Sequence, residues 1–466
     1  MKSSIVTYIQ QFFRNLLLNA AGTERTLYEY IEDGDIPHAL NLMVSHEKDV
    51  ENALKEYYPQ KHEIMTSALA RRKKNYMPCR LPRARQRYIN EIELFFLLAN
   101  NIKWKLDEGD KEAYELFTNY LKETRFDTNM RKIKRIAGSE TECAKLYHLY
   151  KDDNNKPACD TVILSRSTGY DLRILKDQFN HLIAFAYGYK LRGADGKAVQ
   201  HWDFLTANMT YLCKKEVIGW DVEPHPNPTG KINAIYFQQP KAWDGVEPLL
   251  NREEDINSKI GDTNNYYADP IAVATADVIE SMFDPSTPAK LLQMAGKDSR
   301  FEYLNPPQSS ELRTQEKQDL EKAILFDTFT PNFDFDVLRG LGTLSGTAIK
   351  NAMSIGYIKR ANRIEIYGEL VDREKKVIIE ILRFLHPDMA TKLAELQISF
   401  EFAEPFNEDE HTTWNSIISL YKAGLISLEE AVIRLALTKS PEEEIRKIKE
   451  MEQSKQQSQD IKDNEE

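Results

Sequence analysis

The chain has 466 residues, of which 62 are basic and 73 acidic, so its formal net charge is −11. This length suits several lobes around a sizeable core. The acidic balance argues against a general nucleic-acid binder, because such binding depends on neutralising phosphates, although the chain could surround DNA without gripping it. The four cysteines form no C-x-x-C pair, which disfavours a disulfide framework or zinc site and indicates a reducing compartment.

The first residues predict an amphipathic packing arm. Apolar side chains recur at helical spacing over residues 1–20, but polar residues interrupt every apolar run, unlike the continuous core of a signal peptide. A membrane-surface helix is the alternative interpretation. No stretch approaches the roughly 18 apolar residues of a transmembrane span.

The densest basic run lies at residues 70–87 and is broken by two prolines. It could contact phosphate, but we favour a solvated loop or a salt-bridge surface between subunits. A helix with a broad apolar stripe is predicted over Gln86–Asn101.

Between residues 140 and 240 the hydrophobic period changes to two, which predicts an α+β lobe. Four strands are predicted, at Asp160–Ser165, His181–Tyr189, Lys215–Val222 and Lys231–Phe237. The turn signal at 227–230 (NPTG) lies between the last two, so we expect them to pair as a hairpin.

Residues 247–329 predict two helices separated by an insert, which together would form a stalk. The first helix ends before Pro270 and the second starts near Ser310. The insert between 270 and 307 is mixed, with short candidate strands at Ala289–Met294 and Phe301–Leu304.

A turn-rich, aromatic stretch at 331–346 precedes a predicted helix of about 40 residues, Thr347–His386, which Pro387 ends. Gly356 and Gly368 lie inside this helix and are candidate bend sites. The GLGTLSG run at 340–346 has its third glycine one position late for a dinucleotide fingerprint, and no strand precedes it.

The C-terminal part contains a predicted strand at 398–402 and three helices. Gly424 is a candidate helix C-cap, and capping boxes start at Ser427 and Ser440. After about residue 454 the composition predicts a disordered tail.

No catalytic or cofactor motif survives inspection. The chain has no GxxxxGK[ST] phosphate-binding loop. Asp334 with Asp336, and the acidic run 408–410, could bind a metal, but a loop tip and the acidic first turn of a helix are the favoured interpretations. We therefore expect no enzyme activity, no catalytic residue, no metal and no cofactor.

Three stretches resemble the portal proteins of tailed bacteriophages, in the siphophage-type branch. They are VEPLLNREED at 246–255, FEYLNPP at 301–307 and LYKAGLISLEEA at 420–431, with Gly342–Gly346 before the long helix. The resemblance covers about residues 85–450 and departs in the first 80 residues and at 271–300.

The resemblance implies a portal-like fold, α+β and predominantly helical, with a long kinked helix. Its regions would be an N-terminal arm and wing at 1–245, stem helices at 246–269 and 308–329, a clip at 270–307, a tunnel loop at 330–346, a long wing helix and strand at 347–406, crown helices at 407–453, and the tail at 454–466. Tunnel-loop residues facing the DNA channel would be Asn332, Asp334, Asp336, Arg339 and Thr343. Clip residues that bind partner proteins would be Asp298 and Arg300.

The resemblance also implies a function. Similar proteins form a ring, usually of twelve subunits, at one capsid vertex, through which double-stranded DNA passes during packaging and ejection. Partners would be terminase, a head-completion adaptor, and the major capsid and scaffold proteins, with assembly in the host cytoplasm and no membrane. Two alternatives stay open: a magnesium-dependent nucleic-acid enzyme of packaging, and another structural ring such as an adaptor or scaffold.

Overall fold

The computed structural model describes residues 26–66, 78–153, 155–192, 196–268, 272–275, 278–279, 294–295, 300–303, 309–333, 353–406, 410–435 and 441–451. The chain divides into two compact units, one made of residues 1–332 and 355–403, the other of residues 333–354 and 404–466. It is 53% helical and 22% strand, which confirms the mixed composition predicted from the sequence.

The helices of the described ranges are α1 Leu27–Glu32, α2 Ile36–Asn41, α3 Glu47–Tyr57, α4 Glu63–Thr66, α5 Arg85–Leu98, α6 Lys111–Glu123, α7 Phe126–Glu140, α8 Glu247–Ala268, α9 Ser309–Asp327, α10 Ser354–Leu385, α11 Ala390–Ala394, α12 Glu410–Lys422, α13 Leu428–Leu435 and α14 441–451. Short 3₁₀ turns lie at Pro59–Lys61 and Pro387–Met389.

The strands are β1 Lys103–Glu108, β2 Glu142–Lys151, β3 Pro157–Leu164, β4 Asp171–Lys176, β5 Leu182–Arg192, β6 Ala198–Thr206, β7 Met209–Lys215, β8 Trp220–Pro226, β9 Ala234–Gln238, β10 Ala272–Thr275, β11 Val278–Ile279, β12 Met294–Ala295, β13 Arg300–Tyr303 and β14 Gln397–Glu401. All of their pairings are antiparallel.

The first unit is layered around two sheets. Strands β4 to β8 form a five-stranded meander in chain order, and β3-β2-β9 form a second sheet. Apolar side chains of both sheets share one core, which includes Leu146, Phe185 and Tyr236. Helices α1 and α2 cover the five-stranded sheet, while α7 and α10 share a core with β2 and β9 of the other. Each sheet thus packs one face against the shared core and the other against helices. Alternation of buried and exposed side chains persists in β7, where Tyr211 and Cys213 are buried and Leu212 is exposed.

The strand pairing corrects one prediction. Strand β8 pairs with β7, and β9 pairs with β2, so the expected hairpin between 215–222 and 231–237 is wrong. Val217 and Ile218 are not in a strand; they lie at the tip of the β7–β8 turn, 99% and 94% exposed. Gly219 closes this turn with a φ of +80°, a conformation that glycine adopts without strain.

Two helices bracket the insert, as the sequence predicts. Helices α8 and α9 are held together by hydrogen bonds from Arg252 to Glu316 and from Arg313 to Thr263. In the insert, β10 pairs with β13 and β11 with β12. The candidate strand at Phe301–Leu304 is therefore confirmed within Arg300–Tyr303, whereas residues 280–293, including most of the other candidate, lie outside the described ranges.

The long helix α10 ends at Leu385, just before Pro387, as predicted. Its predicted start at Thr347 lies outside the described residues. Gly356 fits closely against the Phe96 ring: a Cβ at this position would lie 2.3 Å from Phe96 Cζ. A Cβ at Gly368 would meet no heavy atom within 4 Å. Gly356 therefore has a packing role in addition to any effect on helix shape.

In the second unit, the predicted caps are present. Gly424 has a φ of +70°, and the amides of Gly424 and Leu425 bond back to Tyr421 and Leu420, as in a glycine C-cap. The Ser427 hydroxyl accepts a hydrogen bond from the Glu430 amide at 3.1 Å and caps α13. The capping box predicted at Ser440 begins outside the described residues.

Candidate functional site

Most residues predicted to face DNA or partners lie outside the described ranges: Asp334, Asp336, Arg339, Thr343 and Asp298. Asn332 is described and its side chain is exposed. The Arg300 backbone pairs with that of Thr275 between β13 and β10. The described residues therefore show how the predicted tunnel loop and the insert are attached to the rest of the chain, and the central residues of both segments lie outside the described ranges.

The chain that enters the predicted tunnel loop is held by hydrogen bonds. After α9, the Thr328 hydroxyl donates to the Ile324 carbonyl at 2.7 Å, and Phe329 turns the backbone with a φ of +49°. Thr330 is then buried, and the Tyr88 hydroxyl donates to the Pro331 carbonyl at 2.8 Å. The loop thus begins from a fixed point on α5.

A buried charge cluster lies beside this entry, and we call it the Glu93 cluster: Glu93, Lys134, Lys359 and Arg363. Glu93 is 1% exposed and accepts a hydrogen bond from Lys134. Its carboxylate lies 3.5 Å from Lys359 Nζ and 2.8 Å from Arg363 Nε. The cluster therefore joins α5, α7 and α10 through one carboxylate.

Electrostatics favour the ionised form of this carboxylate. Burial alone would raise the pKa of Glu93, but the charges of Lys134, Arg363 and Lys359 outweigh it and hold that pKa well below its usual range. Burial lowers the pKa of Lys359 to about 8, against the attraction of Glu93. Three cations share one anion, so the cluster carries excess positive charge inside a region of low dielectric.

Lys359 connects the Glu93 cluster to the first residue of the predicted tunnel loop. Its ammonium donates to the Thr330 hydroxyl at 3.1 Å and to the Ala242 carbonyl at 3.4 Å. Thr330 is the first residue of the predicted loop and Lys359 lies in α10 beyond its end, so one hydrogen bond joins the chain on the two sides of this segment.

A second group of charges joins helices α8 and α9 to the start of α5. Glu253 on α8 is fully buried and lies 3.1 Å from Arg83 and 3.2 Å from Arg85. Arg85 also pairs with Glu321 on α9. The neighbouring Glu254 accepts the Arg83 amide at 2.8 Å and lies 2.7 Å from His62 Nδ1.

These contacts show the role of part of the basic run at 70–87. Its arginines 83 and 85 form salt bridges within the chain, whereas the sequence favoured a solvated loop or a contact between subunits. The cations at 71–74 lie outside the described residues. The sequence analysis did not predict that Glu93 and Glu253 are buried and paired. The signal that could have indicated this is a charged residue within an otherwise apolar stripe of a helix.

Within the described residues, no group of three or more His, Cys, Asp or Glu side chains is arranged to hold a metal ion. No helix of the described ranges is both long and apolar enough to cross a membrane.

Comparisons with known proteins place the chain in a family. No curated protein matches it. Among solved structures, it is similar to a chain in the virion of a native gene transfer agent particle, with 10% identity and a TM-score of 0.42, covering 91% of this chain and 99% of that chain. The family model for phage portal proteins of the SPP1 Gp6-like type matches residues 45–458. The chain belongs to the SPP1 Gp6-like family of phage portal proteins.

Proposed function

We propose that this chain forms a closed ring of twelve subunits at one vertex of a phage capsid. Double-stranded DNA passes through its centre during packaging and ejection, and its role is structural rather than catalytic. The observation that carries this proposal is the family match over residues 45–458. Ring assembly would take place in the host cytoplasm among the major capsid and scaffold proteins.

The proposed stem and clip are supported by how the insert is mounted. Helix α8 leads from the body into the insert and α9, which lies beside α8, leads back. Strands β10 and β13 pair at the start and end of the insert. The buried Glu253 fastens the lower end of α8 to the body through two arginines. A removed partner would leave a buried charge unpaired, which costs about 3–5 kcal/mol, so the attachment of α8 depends on these pairs. A stalk attached in this way is suited to presenting a docking surface for terminase and later for the head-completion adaptor.

The clip proposal can be tested at Asp298 and Arg300. Changing both to serine should leave ring assembly intact and reduce terminase binding, because polar contacts at the insert would be lost. The matched control is a pair of exposed changes in the body that also removes one anion and one cation, Asp388→Ser with Lys48→Ser. Rings should be counted by electron microscopy and terminase binding measured with purified rings. Loss of the rings, or undiminished binding, would argue against this assignment.

The tunnel-loop proposal concerns residues 330–346. A loop facing moving DNA should avoid strong phosphate contacts, since each one adds a salt-sensitive attraction. Asp334 and Asp336 fit that need, and Arg339 is the only cation of the loop. We expect Asp334→Lys with Asp336→Lys to leave rings intact and to slow packaging at low salt, with the defect easing as salt rises.

The measurement is the amount of DNA packaged over time by otherwise wild-type proheads at two ionic strengths. Asp334→Asn with Asp336→Asn removes the same negative charges without adding cations and should slow packaging less. Asp388→Lys with Glu395→Lys adds the same charge at exposed positions of the body and serves as the control. Normal rates for the tunnel-loop lysines at low salt would show that this loop does not meet DNA.

A further inference from the structure

A cleft between α10 and the five-stranded sheet contains a cation without a close partner. The cleft has a volume of about 400 Å³, which is within the range of about 300–1,000 Å³ seen for small-ligand pockets. Its walls combine apolar side chains with charged ones. The lining includes Leu182, Ile183, Ile232, Val377, Lys231 and Arg373.

Arg373 lies on the wall formed by α10 and is partly buried. Within the described part of the chain it makes no hydrogen bond and no ion pair; only Glu369, one helical turn away, attracts it electrostatically. Burial lowers the pKa of Arg373. A guanidinium nevertheless cannot lose its proton in a protein, so its charge stays uncompensated.

The other charged groups of the cleft already have partners or lie in water. The Asp177 carboxylate accepts the amides of Phe179 and His181, at 2.9 and 2.8 Å, and lies 3.2 Å from His181 Nδ1. Lys376 lies 2.6 Å from Asp372, and Lys231 is exposed. Arg373 is therefore the group that a ligand would satisfy.

We propose that this cleft binds a single carboxylate, the side chain of an aspartate or glutamate flanked by apolar residues in a protein partner. The planar guanidinium offers a bidentate fork that matches a carboxylate, and the apolar wall fits the neighbouring side chains. A DNA backbone fits less well, because it requires a row of exposed cations, whereas Arg373 is partly buried beside the apolar side chains of the cleft. The site is independent of the proposed tunnel loop and clip.

The test uses the full chain and two blocked tripeptides as probes, acetyl-Leu-Glu-Leu-amide and its glutamine counterpart. Thermal unfolding and titration calorimetry are recorded for the wild type, Arg373→Met and the control Lys392→Gln, which removes a paired cation that lies outside the cleft. The glutamate peptide should raise the unfolding midpoint of the wild type and of the control. It should bind Arg373→Met about tenfold more weakly or worse, and the glutamine peptide should shift none of them.

Arg373→Met should also differ from the wild type in the absence of peptide. Without peptide, Arg373→Met should unfold at a higher temperature than the wild type, because an uncompensated and partly buried charge is removed. If Arg373→Met folds poorly, Arg373→Lys, which keeps the charge but loses the fork, should show the weaker peptide binding instead. Equal peptide binding by the wild type and Arg373→Met or Arg373→Lys, or none by the wild type, would overturn the proposal. If a short DNA duplex stabilises the wild type as much as the peptide does, the proposed protein carboxylate is wrong and the ligand is a nucleic-acid phosphate.

Discussion

Replacing Gly356 with alanine should destabilise the protein, whereas the same change at Gly368 should stabilise it. Both glycines lie in α10, so helix propensity alone predicts a similar gain of up to about 1 kcal/mol at each. The surroundings differ. An alanine Cβ at 356 would lie 2.3, 2.5 and 2.6 Å from three atoms of the Phe96 ring, and a Cβ at 368 would meet nothing within 4 Å.

The Phe96 ring has little freedom to move away. It is fully buried, and it packs edge-on against Phe95 and Tyr357 with centroids 5.6 and 5.7 Å away. Overpacking of this kind costs about 1–3 kcal/mol, and Gly356 lies in the first helical turn, where the propensity gain is smaller. We therefore expect Gly356→Ala to lose about 1–2 kcal/mol of unfolding free energy and Gly368→Ala to gain about 1 kcal/mol.

The assay is equilibrium urea unfolding of the wild type and both variants at one protein concentration, since assembly contributes to apparent stability. Phe96→Leu should lower stability less in the Gly356→Ala background than in the wild type, because the smaller side chain relieves the overlap. Equal stability of Gly356→Ala and Gly368→Ala, or an additive effect of Phe96→Leu, would refute this reasoning.

Three further predictions concern charge and exposure. The pKa of Lys359 is lowered from 10.5 to about 8 in the folded protein, so the unfolded chain binds more protons between these two pH values. The unfolding free energy of the wild type minus that of Lys359→Met should therefore rise over this window, by at most about 3 kcal/mol. A flat or falling difference across a pH series of urea titrations would contradict this. Glu374→Gln should cost about 3–5 kcal/mol, because it removes the anion paired with Lys145 Nζ, which is fully buried and 2.7 Å from the carboxylate. Lys145→Met with Glu374→Leu should recover much of the loss in the same unfolding assay. An equally unstable double variant would count against the lost pairing as the cause. Val217→Ser with Ile218→Ser should change stability by less than about 0.5 kcal/mol, since both side chains are exposed at a turn; a larger loss in urea unfolding would mean that these residues are covered.

Local sequence signals predicted the parts of the fold that depend on nearby residues. Pro387 ends the long helix, Gly424 caps α12, and the helix predicted to end before Pro270 is α8, because each of these signals acts within a turn or two of the chain. The layout of two helices around an insert follows from the same signals. No long-range information is needed for any of them.

Strand pairing could not be read in this way. Val217 and Ile218 are apolar and β-branched, which favours a strand, yet Gly219 places them at a turn. The partner of β9 is β2, about 90 residues earlier, and a period of two specifies the faces of a strand but not its neighbour. The charge clusters were missed for a similar reason, since Glu93 meets Lys359 and Arg363 only after folding, although the i, i+4 spacing of those two cations was a visible signal.

The central claim is that this chain assembles into a ring that conducts DNA. Electron microscopy of the purified full chain tests it most directly. We predict closed rings, with one subunit count dominating and a central hole wide enough for a DNA duplex. Monomers, open filaments or compact particles without a hole, under conditions where the chain is folded, would contradict the account.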